Sequence, residues 1–365
     1  GLNAIPEKAT VIFVMNHRSN MDYIVASYLA AERAALSYAV GEWARAWGLR
    51  HLIRAMGAYF VRRNSKDELY RRVLERYIAM ATEAGVAQAV YPEGGLTKDG
   101  LMREPRFGVL DYMLRGYHTQ GERDLVFVPL GLNYDRVLED RTQLLAADAA
   151  TPKPGRLYAL SRTLWFFLQQ AGLMLRSRWY KLGYACVNFG TPVSVRAWSA
   201  ARGVDFDHLP KEQRQAEVAA LGHHLMQQVG ALIPVLPVPL VATVLLRDPF
   251  RGWSIFELKA AVGELVQRLE AGGARLYLPR GDWDYAIEAG LRMLTLRRLV
   301  DVQDGLHRPR PGEEAVIRYY ANSIAHLAGA AGQHGAGLPG APRCGHRRAG
   351  SGVPARHAGR RGGAP

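Results

Sequence analysis

Five short apolar runs punctuate the first 190 residues, and each gives way to a polar or Gly/Pro-bearing stretch. They are Thr10–Met15, Ala58–Val61, Val86–Tyr91, Leu125–Leu130 and Tyr184–Phe189. Runs of this length, rich in β-branched and aromatic residues, predict buried strands. Helical patterns lie between them. Ser19 or Asn20 can cap a helix over Tyr23–Arg33. Ser65-Lys66-Asp67-Glu68 predicts a capping box, with Leu69, Val73, Tyr77 and Met80 as the apolar face of the helix it opens. Strands alternating with helices imply an α/β layer architecture. From about residue 205 the pattern turns helical, with Val218, Leu221, Leu225 and Val229 on one face. The expected organisation is a core over 1–204, a helical region over 205–330 and a tail over 331–365.

The tail is made of Gly, Pro, Ala and Arg with almost no large apolar residue, so it is expected to be disordered. Its abrupt onset has the character of a shift in reading frame or an artificial end. Six of the formal +14 charges lie in it, leaving about +8 on the body. A basic body attracts anionic lipid headgroups, phosphorylated ligands or nucleic acid, and composition does not choose among them. Cys186 and Cys344 provide neither a disulfide framework nor metal-ligand spacing. A reducing compartment on the cytosolic side is expected. No signal peptide opens the chain, and the early start of the first strand reads as the back part of a longer protein. The longest uncharged run, Val229–Leu246, has a membrane-spanning length, but Pro234, Pro237 and Pro239 argue against a regular helix there. It reads as a buried or membrane-facing loop and helix start.

The chemistry-bearing residues follow strand ends, where open α/β sheets place ligand sites. His17 and Asp22 in Asn16-His17-Arg18-Ser19-Asn20-Met21-Asp22 are five apart. On one continuous helix they would face different ways. With His17 in a strand-to-helix turn and Asp22 in the first helical turn, the carboxylate can orient the imidazole as a general base. The competing reading is a loop histidine bonded locally. Arg62 and Arg63 close Gly57-Ala58-Tyr59-Phe60-Val61-Arg62-Arg63, either as a solvated pair or as a guanidinium site for a phosphate, with Lys66 adding charge. Tyr91-Pro92-Glu93-Gly94-Gly95 is either an ordinary turn or one whose glycines admit a ligand close to the backbone. In the second reading Glu93 bonds an acceptor hydroxyl or holds the site together, and free N–H groups stabilise an oxyanion. Pro129 marks a fourth block, Val126-Phe127-Val128-Pro129-Leu130, as a strand-end proline.

Other signals are weaker. Gly335–Gly340 matches a dinucleotide fingerprint but follows no strand. His223-His224 is a tandem pair on a helix, and Asp282-Trp283-Asp284 lacks the neighbours of a cation loop. No Gly-x-Ser-x-Gly elbow, Walker loop or zinc pattern occurs. The apolar, aromatic and basic stretch from Trp165 to Lys181 is either core or an interfacial membrane surface.

The four blocks in this order resemble the glycerolipid acyltransferases, and most nearly the bacterial membrane-bound glycerol-3-phosphate 1-O-acyltransferases. Glu93-Gly94-Gly95-Leu96-Thr97-Lys98-Asp99-Gly100 is similar to that branch's Glu-Gly-Gly-Arg-Ser-Arg-Thr-Gly run. Val187–Val193 and Arg318–Ser323 also look like its segments, so the resemblance spans about residues 8–328. It implies an acyltransferase core of a mixed sheet flanked by helices. It implies acyl transfer from acyl-CoA or acyl carrier protein to the sn-1 hydroxyl of glycerol 3-phosphate, giving lysophosphatidate, with no cofactor and no metal. Carried over, His17 is the base, Asp22 its orienting acid, and Arg62, Arg63 and Glu93 belong to the acceptor site shaped by Gly94 and Gly95. Leu96 replaces the family's arginine, and Lys98 is expected to compensate as a point charge. The resemblance also implies a peripheral or monotopic place on the cytoplasmic face of the inner membrane, against an anionic surface, with no nucleic-acid partner. Acceptors such as dihydroxyacetone phosphate or lysophosphatidate are the alternatives. A non-catalytic membrane- or nucleic-acid-binding protein is a further one, which steep salt-dependent DNA affinity in a chain lacking 331–365 would favour.

Overall fold

The computed structural model describes residues 5–22, 24, 25, 28, 37–41, 58–61, 67–115, 117–147 and 183–330. In chain order the first half contains β1 (Thr10–Met15), β2 (Ser37–Gly41), β3 (Ala58–Val61), α1 (Glu68–Glu83), β4 (Gln88–Val90), α2 (Gly108–Arg115), β5 (Leu125–Tyr134) and α3 (Asp140–Ala147). Then follow β6 (Ala185–Phe189), β7 (Val193–Ser194), α4 (Val195–Arg202), α5 (Lys211–Leu232), α6 (Pro237–Leu245), α7 (Ile255–Ala271), α8 (Trp283–Leu296), β8 (Val300–Gln303), β9 (Leu306–Pro309), α9 (Glu314–Asn322) and α10 (Ala325–Ala330). The expected α/β class holds.

The main sheet runs β3-β2-β4-β1-β5-β6, with β7 also on β5. β3, β2, β4, β1 and β5 are mutually parallel, and β6 and β7 are antiparallel to β5. β1 explains why the sheet is buried on both sides. Ile12 and Val14 pack in one cluster with Leu125 and Phe127, while Phe13 and Met15 pack in another with Val126 and Val128. An unbroken apolar strand therefore suits a parallel position covered on both faces. β1, β3 and β4 end at Met15, Val61 and Val90 on one edge of the sheet, just before three of the four blocks. Arg62, Arg63 and Lys66 themselves lie outside the described residues.

Several expectations change. Pro129 does not end a strand, because β5 continues to Tyr134. The carbonyl of Pro129 accepts the Gly190 N–H (2.8 Å) between the pairings with β6 and β7. Its missing N–H thus falls where Gly190-Thr191-Pro192 interrupts the neighbouring strand, a position a proline tolerates. The N-cap of α1 is Asp67, accepting from the Tyr70 N–H, and Ser65 lies outside the described residues. The face of α1 expected to be buried is exposed: Leu69 is 72% and Val73 60% accessible, with Tyr77 and Met80 also exposed. Ile78, Ala79 and Thr82 are buried instead. Thr82 fixes that choice, since its carbonyl accepts from Thr10 Oγ1 and its hydroxyl from Gln88 Nε2.

The boundary expected at residue 204 is not a break in the core. Val218, Leu221, Leu225 and Val229 of α5 are buried in one cluster with β1 and β5 residues. The run Val229–Leu246 forms the end of α5 and the fully buried α6. Its prolines do not exclude a helix, because Pro237 and Pro239 occupy the first turn of α6, whose N–H groups have no intrahelical acceptor. No helix among the described residues is long and apolar enough to cross a membrane. The helical C-terminal region also contains an unexpected hairpin, β8–β9. Its turn is Asp304-Gly305, both at positive φ, a hairpin signal that the sequence carried.

Asp135, directly after β5, is buried and accepts from the N–H groups of Val238 (2.9 Å) and Tyr184 (3.2 Å). Burial holds its carboxyl up at about 7. The folded state therefore keeps a proton that the unfolded chain releases near pH 4, so this group's stabilisation is complete below that point. It is lost as pH rises through about 7, a swing on the order of 4 kcal/mol. Asp135→Asn should flatten the fall in urea midpoint between pH 5 and pH 8. Equal slopes in the two proteins would contradict the assignment.

Candidate active site

The site begins where β1 runs out. Asn16 continues the pairing of β1 with β5 through its side chain, donating Nδ2 to the Leu132 carbonyl (2.9 Å) and accepting the Leu132 N–H at Oδ1 (2.8 Å). The chain then turns and enters a helix at Asp22. The Asp22 N–H donates to the Ser19 carbonyl (3.1 Å). His17 is thus in the turn and Asp22 in the first helical turn, the arrangement that lets residues five apart meet.

Asp22 is fully buried. Its Oδ2 accepts from the N–H groups of Arg18 (2.6 Å) and Ser19 (3.0 Å) and lies 2.9 Å from His17 Nδ1. Its Oδ1 accepts from the Tyr134 hydroxyl (2.7 Å). A carboxylate so surrounded has little freedom to rotate, and it directs the Nδ1 proton of a neutral His17 toward itself. The His17 ring stacks on Tyr91, centroids 4.2 Å apart, and Nε2 has no partner among the described residues. Burial, and then the Asp22 charge, push the Tyr134 hydroxyl well above its ordinary range, so it remains a donor. Tyr134→Phe should cost about 1–3 kcal/mol in stability and several-fold in turnover, read from denaturant midpoints and kcat, since one Asp22 oxygen is left buried without a donor.

Glu93 is buried, and its oxygens accept the N–H groups of His17 (3.1 Å) and Arg103 (3.1 Å). Of its two expected roles, this geometry is that of holding the site together. Burial raises its carboxyl, and the charge of Arg18 is the largest opposing influence. Gly94 has φ +68 and donates its N–H to Tyr91, while the Thr97 N–H donates to the His17 carbonyl. The N–H groups of Gly95 and Leu96 are not taken up by the turn. Lys98 is exposed on the loop beyond.

Four participants carried no clear sequence signal. Arg18 is buried and donates to the carbonyls of Gly100 and, at 3.1 Å, Ser323. It thereby joins the first block, the third block and the end of α9. Ser19 Oγ (2.8 Å) and Asn20 Nδ2 (3.0 Å) donate to Glu139, whose carboxyl burial pushes up. Tyr134 and Glu139 lie more than 110 residues from their partners, and Arg103 follows the third block without belonging to it. Elsewhere, His223 meets Phe107 edge-on, His224 bonds Gln228, and Asp282 caps α8. No group of three or more His, Cys, Asp or Glu that could hold a metal occurs among the described residues. Trp165–Lys181, Cys344 and Gly335–Gly340 lie outside them.

An imidazole oriented by a buried carboxylate at the carboxyl edge of an α/β sheet is suited to deprotonating a hydroxyl. Residues 1–133 match the family described as acyltransferase. Residues 163–331 match the family described as glycerol-3-phosphate acyltransferase C-terminal region, so the two matches together take in most of the chain. The chain is similar to the glycerol-3-phosphate acyltransferase of Xanthomonas axonopodis pv. citri (strain 306), 27% identical over 334 residues, covering 87% of this chain and 36% of that one. The enzyme of that name from Pseudomonas putida KT2440 is 27% identical over 335 residues, covering 87% and 38%. The one from Pseudomonas fluorescens Pf-5 is 29% identical over 342 residues, covering 90% and 39%. The chain thus spans little more than a third of the length of these curated relatives.

Proposed function

We propose that the chain transfers an acyl group from acyl-CoA or acyl carrier protein to the sn-1 hydroxyl of glycerol 3-phosphate, giving lysophosphatidate, in the first step of phospholipid synthesis. The observation that carries this reading is the contact of His17 with buried Asp22, which leaves Nε2 without a partner among the described residues. Nε2 takes the hydroxyl proton as that oxygen attacks the thioester carbonyl carbon. The carbonyl oxygen becomes the oxyanion, for which the N–H groups of Gly95 and Leu96 are the available donors. The C–S bond then breaks, and the thiolate takes the proton back from the imidazolium. The resemblance supplies Arg62 and Arg63 as phosphate ligands and Lys98 as a further cation, and Lys66, just beyond the arginine pair, adds charge. No cofactor or metal takes part in this scheme. The insoluble product and the basic body support a peripheral place on the cytoplasmic face of the inner membrane.

The test is incorporation of labelled glycerol 3-phosphate into lysophosphatidate with palmitoyl-CoA in detergent or lipid. Product formed by the full chain supports the reading. Product formed only from dihydroxyacetone phosphate or lysophosphatidate would reassign the acceptor.

A further inference from the structure

Arg103 is a cation tied through Glu93 to the backbone of His17, with no anion paired to it among the described residues. Its backbone N–H donates to one oxygen of Glu93, and the other oxygen of the same carboxylate takes the His17 N–H. One buried carboxylate therefore ties the Arg103 backbone to the residue that bears the imidazole. From there the Arg103 side chain reaches across to the Glu93–Leu96 turn, where Nη1 meets the Leu96 carbonyl at 3.4 Å. That long bond is the guanidinium's only one, and no carboxylate lies within 4 Å of it among the described residues. The residue is half-buried. Four of its five N–H donors remain for a ligand.

The other cations described around this loop differ. Arg18 is buried, with both Nη atoms committed to backbone carbonyls. Lys98 is an exposed point charge. Arg106 is also exposed, its stem lying across Gly94. Among the described cations, only Arg103 combines partial burial, backbone anchoring to the carboxylate that holds the His17 N–H and an open guanidinium fork. Such a fork suits the oxygens of a phosphate monoester, and partial burial strengthens the attraction.

We propose that Arg103 binds the phosphate of the acceptor, restoring a guanidinium at the point of the turn where residue 96 is leucine. This rests on the acyl-transfer reading above, with a phosphorylated acceptor. It assigns the phosphate contact beside the third block to Arg103 rather than to Lys98.

The experiment measures acceptor and donor KM for the full chain as wild type, Arg103→Ala, Arg103→Lys and Lys98→Ala. Arg103→Ala should raise the KM for glycerol 3-phosphate about tenfold or more, with the palmitoyl-CoA KM changed less than about twofold. Arg103→Lys should fall between, because a point charge replaces a fork. The inhibition constant of inorganic phosphate, competing with the acceptor, should rise in step. An unchanged acceptor KM in Arg103→Ala would overturn the proposal. So would a fall in kcat alone, which marks a brace for the turn, or a KM effect carried wholly by Lys98→Ala. If the wild type transfers nothing to glycerol 3-phosphate, the acyl-transfer reading fails on its own. Calorimetric binding of inorganic phosphate to wild type and Arg103→Ala then still decides the site, equal affinity overturning it.

Discussion

His17→Ala is expected to lower kcat for acyl transfer by about a thousandfold, within the range general-base catalysis usually supplies. The expectation follows from what the imidazole alone does in this site. Nδ1 is held by Asp22 at 2.9 Å and the ring is stacked on Tyr91, so Nε2 is oriented without being engaged. Alanine removes the proton acceptor and leaves its supports in place. Asp22 keeps the N–H groups of Arg18 and Ser19 and the Tyr134 hydroxyl, and Glu93 keeps the residue-17 N–H, which is backbone. The denaturant midpoint should accordingly shift by less than about 1 kcal/mol equivalent, within the range of substitutions that disturb no core or network. Asp22→Asn provides the contrast. Its amide group must point N–H donors at backbone N–H donors or at Tyr134, so activity and stability should fall together, the latter by about 2–4 kcal/mol. Rates and urea midpoints of both variants separate the roles. A His17→Ala protein within tenfold of wild-type kcat would mean that the hydroxyl proton leaves by another route.

Gly100→Ala is expected to destabilise the fold by about 4 kcal/mol or more, the range reserved for severe local conflicts. Gly100 sits at φ +88, and a Cβ built there would lie 1.9 Å from the Tyr319 carbonyl oxygen. The obstacle is the backbone of α9, so no side-chain rotation relieves it. Nor is α9 free to retreat, because Tyr319 and Tyr320 are buried and Asn322 Nδ2 bonds the Asp99 carbonyl (2.9 Å). The Gly100 carbonyl also receives Arg18, whose charge is the chief influence opposing the burial of Glu93. Displacing this loop should therefore weaken the site as well as the fold. Gly108→Ala is the control, since its Cβ meets nothing within 4 Å, and it should change stability by less than about 0.5 kcal/mol. Equal urea midpoints for Gly100→Ala and wild type would show that the loop and α9 are not in the contact described.

What a sequence makes legible depends on the distance over which a signal acts. The contact between His17 and Asp22 was readable because a strand, a turn and a first helical turn are consecutive, and local geometry alone brings the pair together. Five strands and the helix face of α5 were readable for the same reason, as runs and spacings within about ten residues. β2 was not, since Ser-Tyr-Ala-Val-Gly is short and weakly apolar and is a strand because β3 and β4 flank it. The apolar face of α1 was visible, but its direction was not. That direction depends on Thr82 meeting Thr10, 72 residues away.

By itself the sequence determined the α/β class, the order of the four blocks and the meeting of His17 with Asp22, because these rest on short-range pattern and turn chemistry. Tertiary structure alone decided that Tyr134 holds the far side of Asp22 and that Arg18 reaches Ser323 across 305 residues. It also decided that α5 residues beyond 204 pack in one cluster with β1 and β5, and that Ser323 meets Arg18. The physical reason is that burial and hydrogen-bond satisfaction are set by whatever the fold packs against a group. A buried arginine and a solvated one are written with the same letter.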